Sequence, residues 1–217
     1  MNRSTINLHL GDSLEAMKEY PNNHWDLAIC DPPYGMRGNV FSLKTKKFIK
    51  EGHKCARIDG NVDGVGLSLS APPKEEYFDE LFRVSKNQIV FGMQYFTQHL
   101  PSHQCVIVWD KVNGGSYFSD AEIAYTSFDT AVRIARIHNP SGSRIHPTQK
   151  CIKLYEWLLT NYAKEGDKIL DTHLGSCSIA IAAHNLCFDL DGWELDADYH
   201  AAGVKRFEQH KKQLQLY

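Results

Sequence analysis

Residues 31–34 read Asp31-Pro32-Pro33-Tyr34, and some 140 residues later the chain reads Asp171-Thr172-His173-Leu174-Gly175-Ser176. The first run has the chemistry to hold an exocyclic amino group of a nucleobase. Such a nitrogen donates two hydrogens and delocalises its lone pair into the ring. The Asp31 carboxylate and the Pro32 carbonyl can accept the two hydrogens, which draws the nitrogen toward tetrahedral geometry and frees the lone pair for a methyl group. Pro32 and Pro33 have fixed φ and no amide hydrogen, so the turn is stiff and offers acceptors only. Tyr34 supplies a ring on which a base can stack once it leaves the duplex. Positioning and local electrostatics would then do most of the catalytic work.

The second run has the chemistry of a nucleoside cofactor site. Lys168–Asp171 reads as a short strand with an acid at its tip. Gly175, Ser176 and Cys177 follow as small residues that let a ligand approach the backbone and the start of the next helix. A further acid, Glu194, ends another apolar run 23 residues after Asp171, close to the spacing of about 20 at which an acid meets ribose hydroxyls in nucleotide folds. Neither G-x-G-x-x-G nor a Walker lysine is present, so NAD and ATP fit poorly. S-adenosylmethionine, which has adenosine and an amino-acid tail but no phosphate, suits an acid-rich loop.

Elements must carry these residues to one place. Seven apolar runs read as strands: 6–10, 25–30, 88–92, 105–109, 122–128, 168–171 and 188–195. Helical rhythm falls on 13–20, capped at Asp12 or Ser13, and on 74–85, where Tyr77, Phe78, Leu81 and Phe82 share a face. It returns at 147–164, 177–186 and 196–212. The alternation predicts a mostly parallel seven-stranded sheet with helices on both faces, a single α/β domain in which Asp31 and Asp171 both lie at carboxyl ends of strands. Residues 35–72 break the rhythm. A polar connection of that length is expected to be a mobile loop facing the substrate.

These motifs, in this order, resemble the permuted class of S-adenosylmethionine-dependent amino-methyltransferases acting on N6 of adenine or N4 of cytosine in DNA. That family places the Asp-Pro-Pro-Tyr tetrad ahead of the cofactor loop, as here. It precedes the tetrad with a Gly-Asp, matched by Gly11-Asp12. It also carries a His-Pro-Thr-x-Lys-Pro element, matched by His146-Pro147-Thr148-Gln149-Lys150-Cys151, and a loop of the form Asp-x-Phe-x-Gly-Ser-Gly, with Asp171, Gly175 and Ser176 in register. The resemblance implies a Rossmann-like methyltransferase fold. It implies catalysis by Asp31, Pro32, Pro33 and Tyr34, and cofactor contacts from Asp12, His146, Thr148, Lys150, Asp171, His173, Gly175, Ser176 and Glu194. His173, Cys177 and Cys151 depart from the pattern, standing where the family has an aromatic, a glycine and a proline. An acid at the first tetrad position leans toward N6 of adenine. N4 of cytosine, an RNA substrate, a catalytically silent nucleic-acid-binding subunit and a small-molecule or protein methyltransferase are the alternatives. Trp109-Asp110-Lys111 and Gly114-Gly115 resemble segments that line the flipped base, although Trp109 would serve equally as core.

Charge supports a nucleic-acid partner. The net charge is −2, but Arg37, Lys44, Lys46, Lys47, Lys50, Lys54 and Arg57 stand against Glu51 alone, and residues 131–153 carry five cations and only basic charge. An acidic body with two basic segments suits contact with phosphates. Arg37, Lys44, Lys46, Lys47, Lys50 and Arg144 are the expected contacts to double-stranded DNA, and 131–145 is a short candidate recognition segment. A companion restriction endonuclease and a homodimer are the further partners considered. Six cysteines lacking a Cys-x-x-Cys pair read as buried reduced thiols, with no metal site expected. The chain shows no membrane-length apolar run and no signal core after its first residues, which predicts a cytoplasmic protein.

Overall fold

The computed structural model describes residues 4–35, 71–113, 119–140, 145–146 and 148–214. The chain divides into two compact units, one of residues 1–32 with 73–217 and the other of 33–72. Both the basic cluster Arg37–Lys50 and Arg144 lie outside the described residues.

The larger unit is built on one sheet. Its strands are β1 (Ile6–Leu10), β2 (Trp25–Cys30), β3 (Ser85–Phe91), β4 (Val106–Asp110), β5 (Ala121–Thr126), β6 (Arg133–Arg136), β7 (Lys168–Asp171) and β8 (Asp189–Glu194). The helices are α1 (Ser13–Lys18), α2 (Glu75–Val84), α3 (Ile152–Tyr162), α4 (Ser178–Asn185) and α5 (Ala197–Leu214). The sheet has eight strands in the order β1-β8-β7-β2-β3-β5-β4-β6, one more than the seven expected. The additional strand is β6, Arg-Ile-Ala-Arg at the sheet edge, where Ala135 is its one buried residue. A four-residue edge strand with two arginines carries almost no apolar signal, so its sequence reads as a basic loop. It occupies the start of the segment considered for recognition.

All neighbouring strands pair in parallel except β5, which runs antiparallel to both β3 and β4. Alternate residues of the central strands face opposite sides. Leu27, Ile29, Ile89, Phe91, Ile107 and Trp109 join one apolar cluster with α3, α4 and Phe207 of α5. On the other side Cys30 meets Tyr77 of α2. Trp109, considered for the base pocket, belongs to that core: it is fully buried and its indole N–H donates to the Ile137 carbonyl at 2.8 Å.

From β2 the chain passes through α2 to β3 on one side. From β7 it passes through α4 to β8 on the other. The order therefore reverses between β7 and β2, which are direct neighbours. A crevice at the carboxyl ends of strands forms at such a reversal, and ligands bind there in open α/β sheets.

Helix α3 begins at Ile152, five residues after the expected start. Gln149 N–H closes a turn onto the His146 carbonyl at 3.2 Å, and Cys151 is extended, so 146–151 is spent on a turn that carries side chains into the site.

Candidate active site

The sheet brings the predicted acids to one edge. Asp12 follows β1, Glu194 ends β8, Asp171 ends β7 and Asp31 follows β2. Glu122 joins them because β5 is reversed: it stands second in that strand, opposite Trp109 near the end of β4. Nothing in the sequence singles out Glu122, since its place depends on the direction of a strand. A charged residue at the head of an otherwise apolar run is the signal that could have found it.

Lys150 joins the acids. Its ammonium pairs with Asp31 Oδ2 and lies 3.2 Å from Glu122 Oε2, with 3% of its side chain exposed. The ammonium also lies 4.6 Å from the centre of the Phe91 ring, a cation–π contact. Lys111 pairs with the other Glu122 oxygen at 2.7 Å. Burial works against the Lys150 charge, but Asp31 and Glu122 more than offset it and hold its pKa above the ordinary lysine value. Burial likewise pushes the Glu122 carboxyl up, and the two lysines bring it below the usual range. The ammonium thus stays charged and is no proton acceptor. The family resemblance implies a cofactor contact from Lys150, whose ammonium pairs here with the tetrad acid.

The other end of the same turn reaches the glycine loop. His146 is buried, and its Nδ1 lies 3.1 Å from the Thr148 hydroxyl and 3.3 Å from the Thr148 N–H. Its ring packs on Tyr199 with centroids 4.3 Å apart. A Cβ on Gly175 would touch that ring at 3.6 Å. Burial lowers the His146 pKa. His146 and Lys150 therefore stand against the glycine loop and Asp31 respectively.

The loop is held from several directions. Glu194 accepts the Gly175 N–H at 2.8 Å through one oxygen and the Asp196 N–H at 2.9 Å through the other, each oxygen keeping a lone pair. Leu174 N–H donates to the Trp193 carbonyl at 2.9 Å. Its side chain lies where a Cβ on Gly192 would be, 2.4 Å from Leu174 Cδ2, so β8 admits the loop only through a glycine. Gly175 has φ +47 and Cys177 φ +56. The latter is the left-handed position that the family pattern gives to glycine, and a cysteine adopts it here at a cost of about 1–2 kcal/mol.

Asp171 is buried and accepts the His173 N–H at 2.9 Å. Burial, aided by the charges of Asp31 and Glu194, pushes its carboxyl up to about 8. His173 accepts or donates at 2.9 Å with Thr172, whose hydroxyl also meets Tyr77 at 2.6 Å. Burial takes the His173 imidazole down to about 4. Its ring lies edge-on to Tyr77, the aromatic place that the family pattern fills with a hydrocarbon ring. Ser176 is buried, its hydroxyl 3.0 Å from that of Ser178. Asp12 caps α1 by accepting the Leu14 N–H at 2.8 Å. Pro32 is buried beside Asp31, while Pro33 and Tyr34 are half-buried and belong to the smaller unit.

Cys30, Cys105, Cys151, Cys177 and Cys187 carry free thiols; Cys55 lies outside the described residues. Among the described residues no helix is long and apolar enough to cross a membrane.

The chain is similar to known DNA methylases over most of its length. Residues 102–205 match the family model N6_N4_Mtase, described as DNA methylase. The type II methyltransferase M.HpaI of Haemophilus parainfluenzae is 22% identical over 233 residues, covering 91% of this chain and 72% of that protein. Among solved structures, the M1.HpyAVI–SAM complex superposes with a TM-score of 0.59 at 18% identity, covering 93% of this chain and 100% of that one. The cytosine-N4-specific PvuII DNA methyltransferase gives 0.59 at 16% identity, covering 97% and 92%. The matched family model, a relative alike over most of its length and the shared fold together make this chain similar to the N6/N4 DNA amino-methyltransferases.

Proposed function

We propose that this protein methylates N6 of adenine in double-stranded DNA, acting on a base flipped out of the duplex, with S-adenosylmethionine as donor. The observation that carries the reading is the pairing of Asp31 with the buried Lys150 at the strand-order reversal. The ammonium fixes the orientation of a carboxylate that can receive an amine hydrogen, with the Pro32 carbonyl beside it.

The donor set suits this cofactor. The edge presents Asp12 and Glu194, acids that repel phosphate and accept hydroxyl, ammonium and amine hydrogens, with the buried Asp171 beside them. When bound, S-adenosylmethionine supplies an electrophilic methyl group. Asp171, Glu194, Gly175 and Ser176 would hold the adenosine side of the loop, with His146 and Thr148 above Gly175, and Asp12 and His173 at the β1 side. Asp31 and Pro32 orient the target nitrogen, and Tyr34 stacks on its ring. Asp31 is the carboxylate that would hydrogen-bond the amine proton, and it would accept that proton when the donor's S–CH3 bond is exchanged for N–CH3. Lys150 keeps that carboxylate oriented, and Glu122 and Lys111 complete the balance of charge around it.

Arg37, Lys44, Lys46, Lys47, Lys50 and Arg144 are proposed to meet DNA phosphates. A homodimer and a companion restriction endonuclease rest on the family resemblance alone. The second reading is N4 of cytosine, which the same two acceptors would serve, and the likeness to a cytosine-N4-specific enzyme favours keeping it.

The test is transfer of labelled methyl from S-adenosylmethionine to unmethylated DNA, with product nucleosides separated by mass. N6-methyladenine, lost in Asp31→Ala, is the expected result. N4-methylcytosine would move the reaction to the other base. Undiminished transfer by Asp31→Ala would overturn the role of the tetrad.

A further inference from the structure

Helix α5 meets the cofactor loop at two positions three residues apart on one face. At Gly203 the approach is so close that a Cβ would lie 2.5 Å from Cys177 Sγ and 3.2 Å from the Gly175 carbonyl oxygen. Glycine is unfavourable inside a helix, and here the space admits no larger residue. At Arg206, Nη1 donates to the Ser176 carbonyl at 2.6 Å and to Ser178 Oγ at 2.9 Å. The peptide between Ser176 and Cys177 is thus fixed at both ends, because the Cys177 N–H donates to the Leu174 carbonyl at 2.8 Å.

These contacts account for a cysteine in the left-handed position. Its thiol is buried and pushed up to about 12, so it is unreactive. The sulfur occupies the notch that Gly203 leaves open, and Arg206 secures the carbonyl one residue before it. A residue that strains the loop from within is matched by two residues that hold it from behind.

We propose that Gly203 and Arg206 are positioning residues of the cofactor loop, and that α5 sets the affinity for S-adenosylmethionine without touching it. The proposal rests on the reading of 171–178 as the cofactor loop. Its signature is a change in cofactor affinity at constant chemistry, together with reciprocity between positions 177 and 203. Cys177→Gly vacates the space that Gly203→Ala requires, and glycine is at ease at φ +56.

The experiment titrates S-adenosylmethionine into the full chain by calorimetry, records thermal unfolding, and measures methyl transfer with cofactor and DNA varied separately. Arg206→Met is expected to raise Kd and KM for S-adenosylmethionine about tenfold, with kcat and the KM for DNA within about twofold of the parent; Arg206→Lys recovers part of the loss. Gly203→Ala weakens binding similarly, and Cys177→Gly in the Gly203→Ala background restores it. The proposal is overturned if Arg206→Met and Gly203→Ala bind as the parent does. It is equally overturned if the double variant binds no better than Gly203→Ala, or if kcat, both KM values and Tm all change together as for a general loss of folding. A parent chain that binds no S-adenosylmethionine would instead overturn the cofactor reading itself, and this proposal with it.

Discussion

Lys150 and Asp31 form an ion pair in which the lysine is almost wholly buried and the aspartate is the first residue of the Asp-Pro-Pro-Tyr turn. Two charges removed from water are costly unless each finds its partners. Lys150 finds three: Asp31, Glu122 and the face of Phe91. One buried ammonium therefore serves two carboxylates carried by different strands of the sheet.

Breaking this arrangement at the lysine leaves Asp31 and Glu122 without their shared cation. Lys150→Met is expected to lower stability by about 3–5 kcal/mol and to reduce methyl transfer by at least about a hundredfold, the scale of losing a preorganised electrostatic contact. Adding Glu122→Gln should recover part of the stability and none of the activity. Denaturant unfolding and single-turnover transfer check both halves. Equal stability of parent and Lys150→Met would show that the pair is not held as described.

At Asp171 the proposed cofactor role opposes stability. Its carboxyl stands at about 8 in the fold against an ordinary 3.8. The fold favours the protonated form, so the stability linked to this group is complete at low pH and is lost as pH rises between those values. Asp171→Asn, whose amide oxygen can still accept the His173 N–H, removes that loss. At pH 8 it is expected to gain on the order of 2 kcal/mol, or roughly 4–8 °C in Tm, with little gain at pH 4, while cofactor binding falls. Unfolding scans at the two pH values and a cofactor titration decide it.

His173 has the opposite sign. Its imidazole titrates near 4 in the fold against an ordinary 6.5, so the unfolded chain takes up the proton first and stability is lost as pH falls through that window. Its ring lies edge-on to Tyr77 at 5.6 Å, a geometry that a phenyl ring can adopt. His173→Phe should therefore gain roughly 1–2 kcal/mol at pH 4–5 and nothing at pH 8, after the lost bond to Thr172 is allowed for. A gain independent of pH would mean that packing and not protonation is responsible.

The basic segment can be tested by salt. Each phosphate neutralised contributes about −0.9 to the slope of log affinity against log salt. Replacing Lys44, Lys46 and Lys47 together by alanine is expected to weaken binding alike on all DNA sequences. It should also flatten the slope by about 1 for each phosphate that is no longer neutralised. An unchanged slope would exclude these lysines from the phosphate path.

The parts of this site legible in the sequence are those where local chemistry is distinctive. An apolar run ending in Asp31-Pro32-Pro33 and another ending in Asp171 specify strands and their tips, and both strands stand where periodicity puts them. The parts not legible depend on long-range pairing. The role of Glu122 depends on the reversal of β5, the strand β6 is too short and too charged to register, and Gly203 differs from any other helical glycine only through what lies opposite it. Lys150 is legible as a member of the site, but the group it meets is decided by a turn that delays α3 to Ile152.

The pairing of Glu122 with Trp109 across β4 and β5 has a consequence for how the sheet assembles. A slip of one residue would send every β5 side chain to the opposite face and bring Ala121 or Ile123 to the place of Glu122. The buried ammonium would then face a hydrocarbon side chain on one side, a penalty far larger than any single ladder bond. The buried charge that pairs with Asp31 thereby also proofreads the register of the strands, so that a misregistered sheet is disfavoured on the same atoms that the native one pairs.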